Sequence, residues 1–171
     1  MEILKIATEW AKTEIFSSTF FILFGMLFLL SSLGFWQFGK TDLAKSYIIP
    51  TLVAGILLFI VGTGLIYSNL SRTNSFPVVY KNDATAFVES EIDRTVNTLN
   101  EYKTIVFTSI PIIIAGCALL IIFFNTPIWR ASLITTIAML VIILLVDGNA
   151  GARIEKYQEK LLLINKKNIK Q

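Results

Sequence analysis

Histidine is absent from the 171-residue chain, and cysteine occurs only once. The first absence removes the side chain that most often serves as general base, pH switch or metal ligand. The single cysteine, Cys117, excludes an intrachain disulfide and gives no indication of the redox compartment. No glycine-rich phosphate loop and no nucleophile beside a base stand out either. The sequence therefore predicts a protein that is not an enzyme, with no cofactor and no metal.

Charge is missing from four long stretches. No Asp, Glu, Lys or Arg occurs within residues 15–39, 46–71, 104–129 and 131–146. Each stretch holds 16 to 26 residues, which is enough to cross a hydrocarbon core of about 30 Å at about 1.5 Å per residue. A surface helix of a soluble protein would carry a polar residue every third or fourth position, and these stretches do not. They predict an all-α integral membrane protein with four transmembrane helices.

The predicted helices fall into two transmembrane hairpins. Their spans cover residues 16–36 and 47–67 in the first hairpin (16–67), and residues 104–124 and 128–146 in the second (104–146). Twelve Lys and Arg residues lie on the side with the termini, and three lie on the opposite side. The positive-inside rule therefore predicts that both termini are cytoplasmic, in a bacterial inner membrane.

The first fifteen residues form a separate predicted element. Ile3, Ala7, Trp10 and Ala11 share one face of a helix, and charged residues lie mostly opposite. This pattern predicts an amphipathic helix over 1–15 that lies in the membrane interface. The alternative is the frayed start of the first span. A cleaved signal peptide is disfavoured, because charged residues precede the apolar run and no clear small-x-small pattern follows it.

The polar parts of the second half, a link and helix over 68–103 and a tail over 147–171, show matching apolar stripes. A tight turn near residue 126 places these extensions side by side and antiparallel, so they predict a cytoplasmic two-helix stalk that extends spans three and four. The helix from residue 82 has a net charge of −3 and the tail +3, which agrees with the pairing. Two separate solvated helices remain the alternative. The predicted seam of the stalk consists of Val88, Ile92, Leu99, Ile154, Tyr157 and Leu161.

Asp147 has two interpretations. As an acid inside the bilayer it would accept an ion or a proton. As an interfacial acid it would pair with Lys103 or Arg72, or cap a helix. We favour the second interpretation, with Lys103 as partner, because Asp147 follows the last residue of span four and Lys103 precedes the first residue of span three.

Small residues mark one face of the second span. Thr51, Gly55 and Gly62 predict a close-packing surface for another span of this chain or of another subunit. The threonines of the spans, including Thr63, Thr135 and Thr136, would bond their own backbone or face a neighbouring helix.

For function, the sequence favours a non-enzymatic accessory, anchoring or scaffold subunit of a membrane complex. Its predicted partners are the lipid bilayer and other membrane proteins or further copies of itself. The basic tail is expected to contact anionic lipid, and no nucleic-acid partner is predicted. One alternative is a homo-oligomeric pore lined by the span threonines. Another is an immunity-type protein that binds a membrane toxin.

Overall fold

The computed structural model describes the backbone of residues 2–169 and the side chains of residues 2–166. Within those limits the chain is helical, without a strand. Its helices are α1 (Glu2–Phe38), α2 (Asp42–Ser46), α3 (Ile48–Asn82), α4 (Ala84–Glu101), a π-helical segment (Tyr102–Ser109), α5 (Ile110–Phe123) and α6 (Pro127–Ile169). Four helical stretches are long and apolar enough to cross a membrane. The predicted helical class and the four apolar helices are therefore confirmed.

The first two spans form the tightest pair in the molecule, because glycines let α1 and α3 approach closely. A Cβ on Gly55 would lie 2.9 Å from the carbonyl oxygen of Gly25 and 2.8 Å from Cγ of Leu29. A Cβ on Gly62 would lie 3.0 Å from the backbone nitrogen of Ile22. Thr51 is buried on the same helix. The predicted face thus packs against another span of this chain.

The second pair, α5 and α6, leaves most of α5 uncovered. Ile110 is the buried residue of α5, and apolar side chains such as Ile112 and Ile122 are exposed on its surface. At the end opposite the termini, α2 packs against α6. A groove of about 440 Å³ separates α3 from α6 there and is lined by Val53, Ala54 and Thr135.

At the other end, α1, α3, α4 and α6 extend beyond the spans and pack into what we call the polar bundle (residues 2–15, 68–101 and 147–166). Its buried core contains Ile3, Ala7, Ala11, Phe76, Phe87, Val88, Tyr157 and Leu161. The chain turns between α3 and α4 at Asp83, which has extended backbone and accepts hydrogen bonds from the amides of Thr85 and Ala86, both 2.9 Å. Aspartate suits this position, because its side chain can accept hydrogen bonds from the first amides of the helix.

Two details differ from the expectations. Residues 2–14 are the unbroken start of α1 rather than a separate interfacial helix, because the apolar face of Ile3, Ala7 and Ala11 is buried by protein. The polar residues that follow the second span do not form a link separate from it. They continue α3, and Pro77 is tolerated within it on an exposed face. The predicted two-helix stalk is consequently half of a four-helix arrangement.

Candidate functional site: a charged cavity where the spans end

A half-enclosed cavity of about 370 Å³ lies where the apolar spans give way to the polar bundle. It is bounded by α1, α3, α4, the π-helical segment and α6, so every long helix contributes to it. Its polar lining residues are Trp10, Glu14, Ser17, Ser18, Asn69, Arg72, Arg94, Thr98, Glu101, Tyr102 and Asp147. Charged groups of both signs are concentrated here, next to spans that carry none.

An ion pair between the first and the last helix borders the cavity. Arg153 donates from Nε to Oε1 of Glu14 at 2.8 Å and from Nη2 to Oε2 at 3.2 Å. The Glu14 side chain is 12% exposed, so the pair is largely withdrawn from water. A buried carboxylate is costly unless it is paired with a charge, and this fork-shaped contact supplies that charge.

A second charged group joins α1, α4 and α6. Arg94 binds Glu91 through Nε at 2.9 Å and Nη2 at 2.6 Å, and the hydroxyl of Tyr157 donates to the same carboxylate at 2.7 Å. The guanidinium of Arg94 lies 4.4 Å above the ring of Trp10, which stacks on Tyr157 at 5.1 Å. Burial, and then the charge of Glu91, raise the pKa of Tyr157. This phenol therefore stays protonated and remains a donor.

Trp10 has one unsatisfied group. Its indole Nε1 is buried and has no hydrogen-bond acceptor among the residues whose side chains are described. An indole N–H can only donate, and a buried donor without an acceptor costs about 1–3 kcal/mol. Trp10 also lines the cavity.

Asp147 also lines the cavity, and the structure does not bring it to Lys103. Lys103 is exposed, and the ion pairs among the described side chains are Lys5–Glu9, Glu91–Arg94 and Glu14–Arg153. Asp147 makes no hydrogen bond or ion pair within residues 2–166. Burial, and then the charge of Glu14, raise the pKa of Asp147 from 3.8 to about 6, although Arg153 opposes the shift. The expected interfacial pair is corrected to an unpaired acid at a cavity.

Arg72 is the corresponding unpaired base. Its Nη1 donates to Oδ1 of Asn69 at 3.0 Å, and Asn69 donates to the carbonyl of Leu65 at 3.0 Å. No carboxylate of residues 2–166 forms an ion pair with Arg72. Burial, and then the charge of Arg94, lower the pKa of Arg72. The guanidinium nevertheless remains charged, because its ordinary value is far above neutral.

The π-helical segment forms part of the cavity wall. Helices of this type are rare in proteins, but those that occur are frequently found at functional sites. Thr108 and Ser109 each donate to a carbonyl five residues earlier, at 2.8 and 3.0 Å. A Cβ on Gly151 would lie 3.5 Å from the ring of Phe107, an ordinary van der Waals distance, so this ring packs over α6 at that position. The wide turn contributes Tyr102 to the cavity.

Of the other predicted residues, Ile154 also lines the cavity, and the rest lie apart from it. Of the stalk seam, Val88, Tyr157 and Leu161 share one buried cluster, and Ile92 packs against it. Leu99 is only half-buried, whereas Ile154 is buried. Within the single chain the span threonines lie in different places. Thr51 is buried on α3, Thr63 is exposed and donates to its own helix, and Thr135 and Thr136 line the groove between α3 and α6.

Glu14, Arg94 and Arg153 were not singled out from the sequence, and Arg72 was named only as an alternative partner of Asp147. A signal for Glu14 was present. Counting onward from Ile3, Ala7 and Ala11 in steps of three and four leads to position 14, so the periodicity places this acid on the buried face. Its partner lies 139 residues away and has no comparable signal.

Comparison with known protein families, with curated proteins and with solved structures found no match for this chain.

Proposed function

We propose that the protein is a non-enzymatic accessory subunit that anchors or organises other proteins of a membrane complex. The observation that carries the proposal is the rigid connection between the apolar helices and the polar bundle. Helices α1 and α6 pass from one part to the other without a break, and α6 alone is about 65 Å long at about 1.5 Å per residue. An anchor needs this rigidity, because it must hold a partner at a fixed height above the membrane.

The tip of the polar bundle supports a docking role. Val78, Leu162 and Leu163 are exposed there, and exposed apolar side chains beyond the lipid are typical of surfaces that bind protein. The excess of Lys and Arg on this side supports a location in the cytoplasm, with the spans in a bacterial inner membrane. The basic tail would add contact with anionic lipid.

The uncovered surface of α5 supports assembly with other membrane helices, including those of further copies. The single cysteine, Cys117, lies on α5 and is half-buried. Once it is replaced, a cysteine added at a chosen position can be tested alone for cross-linking between subunits. In a Cys117→Ser background, cysteine at Leu119 should form a disulfide between subunits in the membrane on mild oxidation. Cysteine at Val61, which is exposed on α3, serves as the matched control.

The decisive measurement is the mass of the particle in mild detergent, with its components identified. We expect several copies of the 19.2 kDa chain, or one copy with a stoichiometric partner whose retention falls in Leu162→Ser and Leu163→Ser. A particle with a single copy and no partner contradicts the proposal. Ion flux into liposomes would instead support the pore, and a bound toxin the immunity-type protein.

A further inference from the structure

The charged cavity is lined by an acid and a base that form no ion pair among the described side chains, Asp147 and Arg72. The charges that act on Asp147 are those of Glu14 and Arg153. Two carboxylates and one guanidinium leave one negative charge uncompensated. The charges that act on Arg72 are those of Arg94 and Glu91. Two guanidinium groups and one carboxylate leave one positive charge uncompensated. Glu101 also lines the cavity, but it is exposed to solvent.

Both uncompensated groups keep free hydrogen-bonding capacity. Asp147 accepts no hydrogen bond from residues 2–166. Arg72 uses Nη1 on an uncharged amide, so its remaining N–H groups have no carboxylate among the described side chains. Charged groups withdrawn from water are costly unless they are paired. Because the two groups form no ion pair with each other, the cavity favours a ligand that carries one positive and one negative charge.

A second arginine lines the same cavity. The guanidinium of Arg94 lies 4.4 Å from the ring of Trp10, which is also part of the lining. Arg72 keeps N–H groups that no described carboxylate accepts. A phosphate is the natural partner for such an arginine, because its oxygens can accept parallel hydrogen bonds from a guanidinium.

We propose that this cavity binds a zwitterionic aminophosphate group, with its ammonium at Asp147 and its phosphate at Arg72. The volume of about 370 Å³ falls within the range of small-ligand sites. The cavity lies at the ends of the apolar helices, which is the depth of lipid headgroups when those helices cross a bilayer. The same chemistry occurs in the headgroup of phosphatidylethanolamine and in free phosphoethanolamine.

The test uses the full-length protein incorporated into vesicles that contain equal amounts of phosphatidylethanolamine and phosphatidylglycerol. The second lipid has the phosphate but no ammonium. Native mass spectrometry then measures how much of each lipid the released protein retains. A charge-assisted hydrogen bond corresponds to a factor of about ten or more in affinity. We therefore expect the wild type to retain phosphatidylethanolamine at least about tenfold more strongly.

Two variants test Asp147 and Arg72 separately, and each has a matched control. Asp147→Asn should remove the preference between the two lipids, whereas Arg72→Gln should weaken retention of both. Their matched controls are Glu155→Gln, an exposed acid on the same helix as Asp147, and Lys103→Gln, an exposed base beside the spans. Both controls should behave as the wild type. Circular dichroism checks the fold, and Asp147→Glu, which keeps the charge, should keep the preference if Asp147→Asn fails to fold.

Added phosphoethanolamine distinguishes the two sources of the ligand. Displacement of the lipid by the free compound assigns the site to the soluble molecule, and retention of the lipid assigns it to the bilayer. Equal retention of the two lipids by the wild type, together with no binding of phosphoethanolamine, overturns the proposal. Retention of phosphatidylethanolamine by Asp147→Asn and Arg72→Gln at the level of their controls also overturns it.

Discussion

Asp147 allows the most quantitative prediction, because burial raises its pKa to about 6 in the folded protein. In the unfolded chain the ordinary value of 3.8 applies. Between these two pH values the folded state binds more protons than the unfolded state, so folding stability falls as pH rises through this window. Below about pH 4 the carboxyl is neutral in both states and the penalty disappears. Above about pH 6 the penalty is complete.

The difference of about two pKa units corresponds to about 3 kcal/mol. Asp147→Asn removes the ionisation and keeps the shape of the side chain. In protein freed of lipid, we expect this variant to be more stable than the wild type by about 3 kcal/mol at pH 7.5. The advantage should fall to about half of that at pH 5 and should be nearly gone at pH 4.

Thermal unfolding in detergent, followed by tryptophan fluorescence, measures this difference. For a chain of this size 1 kcal/mol corresponds to about 2–4 °C in Tm, so the variant should melt about 6–12 °C higher at pH 7.5. Glu155→Gln, on an exposed part of α6, is the control and should show no such dependence. A gap that is independent of pH, or a less stable Asp147→Asn at pH 7.5, would refute the reasoning. Bound phosphatidylethanolamine should narrow the gap, because an ammonium stabilises the carboxylate.

Three further changes test the packing and the buried polar contacts by Tm at neutral pH. Gly55→Ala should destabilise the protein by about 1–3 kcal/mol, because the added Cβ meets the backbone of Gly25. Gly64→Ala should leave the stability unchanged, because nothing lies within 4 Å of the added Cβ. Equal Tm values for the two variants would contradict the close crossing of α1 and α3. Arg153→Met leaves Glu14 buried and unpaired, and should lower the stability by about 3 kcal/mol. Adding Glu14→Gln to the same chain should restore most of that loss. If the destabilising effects of the two substitutions simply add in the double variant, the result argues against the pair. Tyr157→Phe removes a hydrogen bond to a buried carboxylate and should cost about 1.5–3 kcal/mol, whereas Tyr67→Phe, at an exposed tyrosine, should cost almost nothing.

Much of the fold follows from local features of the sequence. Stretches without charge predict the apolar helices, and the small residues Gly55 and Gly62 predict a close-packing face on α3. Asp83 is recognisable as a cap because its side chain can accept hydrogen bonds from amides just ahead of it. Each of these features depends on residues within a few turns of one another, and such patterns are visible without tertiary structure.

The polar bundle shows where local patterns are insufficient. The apolar face of Ile3, Ala7 and Ala11 is equally suited to lipid and to protein, so its amphipathic pattern alone could not identify what covers it. The polar residues after the second span resemble a turn because Ser, Asn and Pro are common there. They are helical nonetheless, since Phe76 gains burial against α1 and α4.

Local patterns are enough to establish that this protein is helical and has four apolar stretches long enough for a bilayer, because an uncharged run of that length suits an apolar environment at every residue. Which charges meet depends on the tertiary fold. Glu14 pairs with a residue 139 positions away, and Asp147 and Arg72 form no ion pair among the described side chains although both line one cavity. Ion pairing depends on distances of a few ångströms between atoms of separate helices, and no pattern within a single helix specifies those distances.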